Sequence, residues 1–283
     1  MKLEDIPLRR TLLQGGIEIH HAEAGEGRPL VFVHGGFGDW TSWAPQWAAF
    51  VPHFRCISYS RRYSTPNGNV CMSHDHSVIA EAEDLGALLD AWGVGRPILV
   101  GTSYGAYTAL QLALTAPKRV GALALTEPPV LPFADAVPGG REARIAFQQD
   151  VLAPADEAFA HGDTTRAVRL LTEGINGSAP GEATSTQGLA RRLRNAEAMR
   201  ALSASSDAYP ALDVDRLRAL AVPTLLLTGQ DTQPVHDAIF RSLCERMPQA
   251  QGLRVPDAGH GVHRDNPAAF NEIVLRFARA QAR

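Results

Sequence analysis

The sequence predicts an α/β protein in which a mainly parallel sheet carries helices on both faces. Short apolar runs alternate along the chain with segments whose apolar residues recur at helical spacing, as in residues 77–92. The apolar run 97–100 leads through Gly-Thr-Ser-Tyr-Gly at 101–105 into an apparent helix at 106–115. This alternation is typical of parallel sheets, because a crossover helix has to return the chain to the start of the next strand.

The elements can be predicted in order along the chain. A hairpin from Arg10 to Ala22 turns at Gly15 and Gly16, and a helix with Trp43 and Trp47 on one side follows the first buried strand. The other predicted strands cover residues 30–33, 55–59, 97–100, 120–126, 224–228 and 251–255, and the helices between and after them include 77–92, 106–115 and 267–280.

The segment 128–210 interrupts the alternation. It contains helix-like runs at about 141–160, 164–174 and 187–204, separated by joints rich in glycine, proline and serine. We therefore expect a helical cap at 130–210 between the two parts of a core domain, 1–129 and 211–283.

The composition argues against several classes of partner. The 283 residues carry a formal charge of −3 with acids and bases interspersed, so we expect no nucleic-acid and no membrane partner. The N-terminus has no continuous apolar segment, and no stretch reaches membrane-spanning length. Cys56, Cys71 and Cys244 are scattered, which is typical of reduced thiols and predicts a cytoplasmic protein.

Ser103 is the candidate nucleophile. It stands at the centre of the Gly-x-Ser-x-Gly turn between a strand and a helix, where a sharp turn lifts the central side chain above the sheet. Gly101 and Gly105 let the backbone pass close to its neighbours. A serine hydroxyl is a weak nucleophile at neutral pH, so it needs a histidine base, which in turn needs an acid.

His260 is the candidate base. It lies in the glycine-rich segment 257–263 between the last predicted strand and the last helix, from which it can reach Ser103 over the strand ends. His263 is the competing candidate, but its position near the helix start favours a capping or surface role.

Two residues are candidates for the acid. Asp231 follows the strand 224–228, whereas Glu127 ends the strand 120–126, at the edge where parallel strands build their sites. We favour Glu127, because it stands directly between an apolar strand and two prolines, and Asp231 is the alternative.

Backbone N–H groups are the candidate oxyanion-hole donors. Tyr104 directly follows the nucleophile, and Gly36 lies in His-Gly-Gly-Phe at 34–37, with Phe37 as the alternative to Gly36. We interpret His34 as a structural residue of this loop.

Two further polar segments receive no role in the site. Arg61, Arg62 and Tyr63 follow the strand 55–59, where they could border the pocket or, in the case of the arginines, be loop charges, and we leave them unassigned. The run His74-Asp75-His76 lacks a third metal ligand, and Asp75 or Ser77 is better explained as a helix N-cap. We predict no metal site and no cofactor.

The segments around His34, Ser103 and His260 resemble the α/β-hydrolase superfamily. The resemblance rests on His-Gly-Gly-Phe at 34–37, on the Gly-x-Ser-x-Gly turn and on Gly-His-x-x-His at 259–263, and it covers nearly the whole chain outside the cap. It implies an α/β-hydrolase fold with an eight-stranded, mostly parallel sheet, a cap inserted after the sixth strand and cofactor-free acyl chemistry.

The acid departs from the common pattern of this superfamily. Most members place it after the strand ending here at 228, with the spacing Gly-x-x-Asp, but the third residue after Gly229 is Thr232, and Asp231 falls one residue early. A glutamate at the end of the sixth strand resembles zearalenone-hydrolase-type lactonases. Haloalkane dehalogenases and typical epoxide hydrolases use an aspartate nucleophile, so Ser103 argues against both reactions.

The residues and the resemblance together predict a serine hydrolase. We expect it to cleave an ester or lactone of a medium-sized hydrophobic molecule, with homodimer formation left open. The alternatives are a carbon–carbon bond hydrolase, a perhydrolase or a ligand receptor with little turnover. The apolar residues of the cap are interpreted mainly as packing between cap and core, with a pocket-lining role as the alternative: Phe133, Phe147, Phe159, Leu170, Leu171, Met199 and Tyr209.

Overall fold

The computed structural model describes residues 1–71, 74, 76–178 and 185–282. An eight-stranded sheet forms its centre. The strands are β1 (Arg9–Leu12), β2 (Glu18–Ala24), β3 (Pro29–Val33), β4 (Arg55–Tyr59), β5 (Ile98–Thr102), β6 (Ala122–Thr126), β7 (Thr224–Gly229) and β8 (Gln251–Val255).

The order of the strands places the candidate site residues next to one another. The order is β1-β2-β4-β3-β5-β6-β7-β8, and only the pairings of β2 with β1 and β4 are antiparallel among the described strands. Strands β3, β5, β6 and β7 are consecutive neighbours, so their carboxyl ends meet at the same edge of the sheet. The α/β fold with a mostly parallel eight-stranded sheet is therefore confirmed.

The α-helices cover both faces of the sheet and fill its connections. They are α1 (Ala44–Phe50), α2 (Val78–Ala91), α3 (Tyr104–Thr115), α4 (Gly140–Phe147), α5 (Ala153–Ala160), α6 (Thr164–Asn176), α7 (Thr186–Arg194), α8 (Ala196–Ser203), α9 (Val214–Ala219), α10 (Pro234–Arg246), α11 (Val262–Asp265) and α12 (Pro267–Gln281). None of the described helices is long and apolar enough to cross a membrane.

Alternate residues of the central strands pack into two separate cores. Val31 and Leu99 face one side, where they pack with apolar residues of α2, α3 and α10. Leu30 and Val100 face the other side, against α1 and α12. Both faces of a parallel strand are buried in this way, which explains the continuous apolar runs in the sequence.

Helices α4 to α8 lie between β6 and β7, where the sequence predicted the cap. The division of the chain at 130–210 into cap and core stays a prediction. Residues 179–184 of that segment lie outside the described residues, as does Asp75, one of the two candidate N-caps. The other, Ser77, accepts a hydrogen bond from the backbone N–H of Ile79 and caps α2.

Candidate active site

Ser103 lies in a strained turn between β5 and α3. Its φ of 51° and ψ of −125° are unusual for a residue with a side chain, and its N–H donates to Thr126 O on the neighbouring strand. Two residues later the helix passes directly over β3, and a Cβ on Gly105 would lie 2.2 Å from Val33 O. The turn therefore has the geometry of a nucleophile elbow, and it requires a glycine at 105.

Glu127 and His260 are brought together by a direct hydrogen bond. Glu127 Oε2 lies 2.6 Å from His260 Nδ1 and 2.9 Å from the hydroxyl donor Thr232 Oγ1. Its other oxygen accepts from Thr228 Oγ1 and from Gly229 N, at 2.7 and 2.9 Å. The carboxylate thus stands above the end of β7, although its backbone belongs to the end of β6.

The alternative acid, Asp231, lies elsewhere. Its side chain is exposed, and its backbone N–H donates to Ala258 O at 2.9 Å. The next residue, Thr232, occupies the position at which the superfamily pattern expects an aspartate. Its hydroxyl group donates a hydrogen bond to the Glu127 carboxylate. Asp231 lies one residue before the position expected for the acid, and the hydrogen-bond partner of His260 Nδ1 is Glu127.

The environment of Glu127 keeps its carboxyl group ionised. Burial raises the pKa of this group, but the hydrogen bond and charge of His260, the charge of His236 and the hydrogen bond from Thr228 lower the pKa to about 2. An ionised carboxylate on Nδ1 fixes the tautomer of His260 and stabilises its protonated form.

His236 is a neighbour of the candidate base, His260, and the sequence motifs did not indicate it. Its ring stacks on that of His260, with the centroids 4.3 Å apart, and its Nε2 has no hydrogen-bond partner among the described residues. Burial lowers the pKa of His236 to about 3, and the charge of His260 acts in the same direction. Its place at the start of the helix after β7 was the signal available in the sequence.

Glu127, His236 and His260 each place one atom of a type that can bind a metal ion, a carboxylate oxygen or an imidazole nitrogen, within 4.8 Å of the other two. The two Glu127 oxygens already accept four hydrogen bonds, so a metal ion here would have to displace the bond to His260. The residues therefore fit a hydrogen-bonded acid and base better than a metal centre.

The loop after β3 is held by two buried side chains. His34 Nδ1 donates to Gly35 O at 2.8 Å, and its Nε2 accepts from the backbone N–H of Arg61 at 2.9 Å. The Arg61 guanidinium donates to Gly35 O, lies 3.5 Å from Gly36 O and pairs with Glu81 at 2.9 Å. The structural role of His34 agrees with these contacts.

Arg61, Arg62 and Tyr63 were left without a role, and none of them lines the cavity that Ser103 lines. The alternative of a loop charge does not fit Arg61, which is buried, and describes Arg62 only in part. Arg61 is 1% exposed and lies 5.1 Å from the ring centroid of Tyr104, so one cation supports both loops that carry the candidate oxyanion donors. Arg62 is half-buried and pairs with Asp84 at 2.6 Å. Carboxylates on α2 make burial of both cations favourable, and the local sequence does not show this pairing.

A cavity of about 110 Å³ joins the candidate residues. Ser103 and His260 line it together with the three candidate oxyanion donors, Gly36, Phe37 and Tyr104. Its apolar wall comes largely from the segment between β6 and β7 and includes Leu131, Phe147, Leu152, Leu171, Ile175, Met199 and Tyr209. A Cβ on Gly36 would lie 2.4 Å from Met199 Sδ, so glycine lets this wall approach the loop.

His263 also lines the cavity, contrary to the surface or capping role expected from its sequence position. It is 4% exposed, and its ring centroid lies 4.8 Å from that of Trp43. The carbonyl of His263 accepts from Gln46 Nε2, which ties α11 to α1. The described contacts join His260, rather than His263, to the acid.

The fold and this site define the class of protein. A family model described as the alpha/beta hydrolase fold matches residues 28–267, so the chain belongs to the α/β-hydrolase family and is a hydrolase. The resemblance noted in the sequence is thereby confirmed.

Among particular proteins, the chain is similar to "Putative carbamate hydrolase RutD" from Caulobacter sp. (strain K31). The two are 27% identical over 277 residues, which is 94% of this chain and 96% of the relative. RutD from Klebsiella pneumoniae (strain 342) is 28% identical over 260 residues, covering 88% of this chain and 90% of the relative.

Solved structures show the same fold. Est816, described as an N-acyl homoserine lactone degrading enzyme, is 25% identical with a TM-score of 0.71, and the match covers 96% of this chain and all of Est816. A bromoperoxidase from Bacillus anthracis is 20% identical with a TM-score of 0.77, over 96% of this chain and 100% of that chain.

Proposed function

We propose that this hydrolase cleaves a carboxylic ester or lactone through an acyl-enzyme on Ser103. The observation that carries the proposal is the 2.6 Å hydrogen bond between Glu127 and His260 in the cavity that Ser103 also lines. A carboxylate on Nδ1 leaves Nε2 of the imidazole to accept the proton of a serine hydroxyl.

The reaction has two steps. Ser103 Oγ attacks the acyl carbon while His260 takes its proton, and Glu127 stabilises the imidazolium that forms. His260 returns the proton to the leaving alcohol oxygen. It then takes a proton from water, whose oxygen attacks the acyl carbon. The bond between that carbon and Ser103 Oγ breaks, His260 returns the proton to Oγ, and the acid is released.

Backbone donors stabilise the charge that develops on the acyl oxygen. The N–H of Tyr104 is one donor and the N–H of Gly36 is the other, with Phe37 as the alternative to Gly36. Such donors are most effective when they are fixed before the reaction. The buried Arg61, which contacts both loops, supplies this rigidity.

The comparisons support the substrate class. Est816 is described as a lactone-degrading enzyme, and an ester or lactone is what a serine acyl-enzyme mechanism consumes. The RutD relatives are named for carbamate hydrolysis, which also requires attack on an acyl carbon, so carbamate esters belong in the same substrate panel.

A fluorophosphonate probe and a panel of short p-nitrophenyl esters, p-nitrophenyl carbamates and lactones test the proposal. We expect the wild type to be labelled and to hydrolyse members of the panel, and Ser103→Ala to lose both activities. Ser206→Ala, which changes an exposed serine, is the matched control and should retain both. Hydrolysis at the wild-type rate by Ser103→Ala would contradict the proposal.

The same panel addresses the alternatives. Labelling of Ser103 without ester or lactone hydrolysis, but with cleavage of a carbon–carbon bond or with peracid formation, would assign one of those reactions to the site. Stabilisation by a ligand without any turnover, seen as a raised melting temperature, would favour a receptor.

A further inference from the structure

Three arginines line the cavity that contains Ser103 and His260. Arg191 and Arg192 come from α7, and Arg264 comes from α11, which begins two residues after His260. Arg191 and Arg192 are half-buried, and Arg264 is exposed. Two separate elements thus bring cations to the same cavity, otherwise lined largely by apolar side chains.

Within the described ranges, these three arginines also differ from Arg61 and Arg62 in having no carboxylate within ion-pair distance. Arg61 pairs with Glu81 and Arg62 with Asp84, each within 2.9 Å. Across the described ranges, no ion pair within 4.0 Å involves Arg191, Arg192 or Arg264.

The nearest acidic neighbour is already engaged. Asp265 follows Arg264 in the chain, but its Oδ2 accepts from the backbone N–H of Gly259 at 3.1 Å. The three guanidinium groups instead act on one another. Burial, together with the charges of Arg264 and Arg191, lowers the pKa of Arg192 to about 10. The charge of Asp265 also acts on Arg264, but it only partly offsets burial and the charge of Arg191, which lower the pKa of Arg264. Like charges held close together destabilise the free protein and favour the binding of an anion.

A neighbouring imidazole completes the polar side of the cavity. His263 is 4% exposed, and its Nδ1 has no hydrogen-bond partner among the residues that the structure describes. Burial lowers the pKa of His263 well below its usual value, and the charges of Arg264 and Arg191 act in the same direction. The ring is therefore neutral and adds a polar group beside the cations without adding charge.

We propose that the substrate carries a carboxylate or phosphate group, which Arg191, Arg192 and Arg264 bind while Ser103 attacks an ester or lactone carbonyl elsewhere in the same molecule. This inference rests on the proposed function for its reaction. Planar guanidinium groups bind both kinds of oxyanion through paired N–H donors, and such charge-assisted bonds are stronger than neutral ones.

The size of the cavity limits the rest of the substrate. A cavity of roughly 150 Å³ holds one benzene molecule, and this cavity measures about 110 Å³. The cavity is also partly open to solvent, so an unbranched chain of a few carbons between the carbonyl and the anionic group can extend out of it and fits better than a long or branched one.

A matched pair of esters tests the inference. Monomethyl adipate and methyl hexanoate have the same chain length and the same scissile ester, but only the first ends in a carboxylate. We expect the wild type to prefer monomethyl adipate at least about tenfold in kcat/KM, and the doubly substituted R192Q/R264Q variant to lose that preference. The preference is taken as the ratio of kcat/KM for the two esters, in which an effect of the substitutions common to both esters cancels. A melting temperature of R192Q/R264Q close to that of the wild type serves as the control for folding.

Two further arms complete the kinetic experiment. Arg276→Gln, which changes an exposed arginine of α12, should keep the wild-type preference. A methyl ester of the same length that ends in a phosphate shows which oxyanion is bound more tightly. Equal kcat/KM for the charged and neutral esters in the wild type, or an unchanged preference in R192Q/R264Q, would overturn the inference.

Binding to Ser103→Ala separates this inference from the proposed function. Calorimetric titration with monomethyl adipate and methyl hexanoate needs no turnover. Tighter binding of the charged ester, lost in R192Q/R264Q, supports the anion site even if no ester is hydrolysed by the wild type. Equal binding of the two esters would overturn the anion site whatever reaction Ser103 performs.

Discussion

Glu127 presents its carboxylate above a strand to which it does not belong. The residue directly follows β6, and its two oxygens accept hydrogen bonds from Thr228 and Gly229 at the end of β7 and from Thr232 just beyond it. Its φ of 45° is another departure from ordinary backbone geometry. Strain of this kind is found where a side chain is aimed for function, and here it aims the carboxylate at the base.

Replacing Glu127 by glutamine tests whether its charge is needed. We expect Glu127→Gln to lower kcat by about 10³–10⁴-fold, because a neutral amide can hold His260 in the wrong tautomer and cannot stabilise its positive charge. Steady-state kinetics on the preferred ester measure the effect.

Asp231→Asn is the control for the choice of acid. Its side chain is exposed, so the substitution should leave kcat within about twofold of wild type, as expected for a surface site. A large loss in this variant together with a small loss in Glu127→Gln would reverse the assignment.

At the scale of the element, the turn between β5 and α3 is the most constrained part of the site. The strand before it and the helix after it were predictable from apolar periodicity, since both lie in the core. The helix begins at Tyr104 rather than at the predicted 106, because the elbow itself supplies the first turn. The sequence therefore predicted correctly that Ser103 lies in the turn between a strand and a helix.

Gly105→Ala should disrupt this turn. The added methyl group would lie 2.2 Å from the carbonyl oxygen of Val33 and 2.4 Å from that of His34, and these backbone atoms cannot move without displacing β3. We expect the free energy of unfolding to fall by about 3 kcal/mol or more, measured by urea denaturation.

Gly95→Ala is the matched control for Gly105→Ala. Gly95 lies before β5 with no atom within 4 Å of an added Cβ, so its substitution should change the free energy of unfolding by less than about 1 kcal/mol. Similar stabilities for the two variants would show that the elbow tolerates a side chain.

Contacts between distant elements were not predictable from the local pattern. Arg61 and its partner Glu81 stand 20 residues apart, and nothing near either residue indicates that both are buried. His236 was missed for the same reason, because its role depends on a ring stacked from α10 onto the loop after β8. Sequence periodicity reports which residues are buried, but it does not report which buried polar groups meet.

At the scale of the whole molecule, buried histidines make the free energy of unfolding depend on pH. Burial lowers the pKa of His21 from 6.5 to about 4, an effect that the charge of Glu23 partly opposes. Between these two pH values the unfolded chain binds a proton that the folded chain does not. The free energy of unfolding therefore decreases as the pH falls from 6.5 to 4.

His21→Phe should weaken this pH dependence. His21 packs against Trp92 in the apolar surroundings of β2, away from Ser103, and its Nδ1 has no partner in the described part of the chain. We expect the slope of unfolding free energy against pH to fall by up to about 1.4 kcal/mol per pH unit between pH 4 and 6.5, measured by urea denaturation. The exposed His161→Gln variant should keep the wild-type slope, and identical slopes in all three proteins would contradict the burial argument.

Because β6 and β7 are neighbours in the sheet, the position of the acid could change between members of this family. Thr126 pairs with Leu227 in the sheet, so the two strand ends lie side by side and a glutamate on one reaches the polar groups of the other. The E127A/T232D variant should therefore recover a large part of the activity that Glu127→Ala loses, in the same kinetic assay. No recovery would show that the threonine position cannot host the acid.

On this prediction, the carboxylate can be carried either by residue 127 after β6 or by residue 232 after β7. A lineage could acquire the second acid while it still keeps the first, and then lose either one, without passing through an ancestor that lacks both. The strand that carries the acid would then reflect the ancestry of each protein. The reaction itself would depend only on where the carboxylate oxygen atoms lie relative to the histidine.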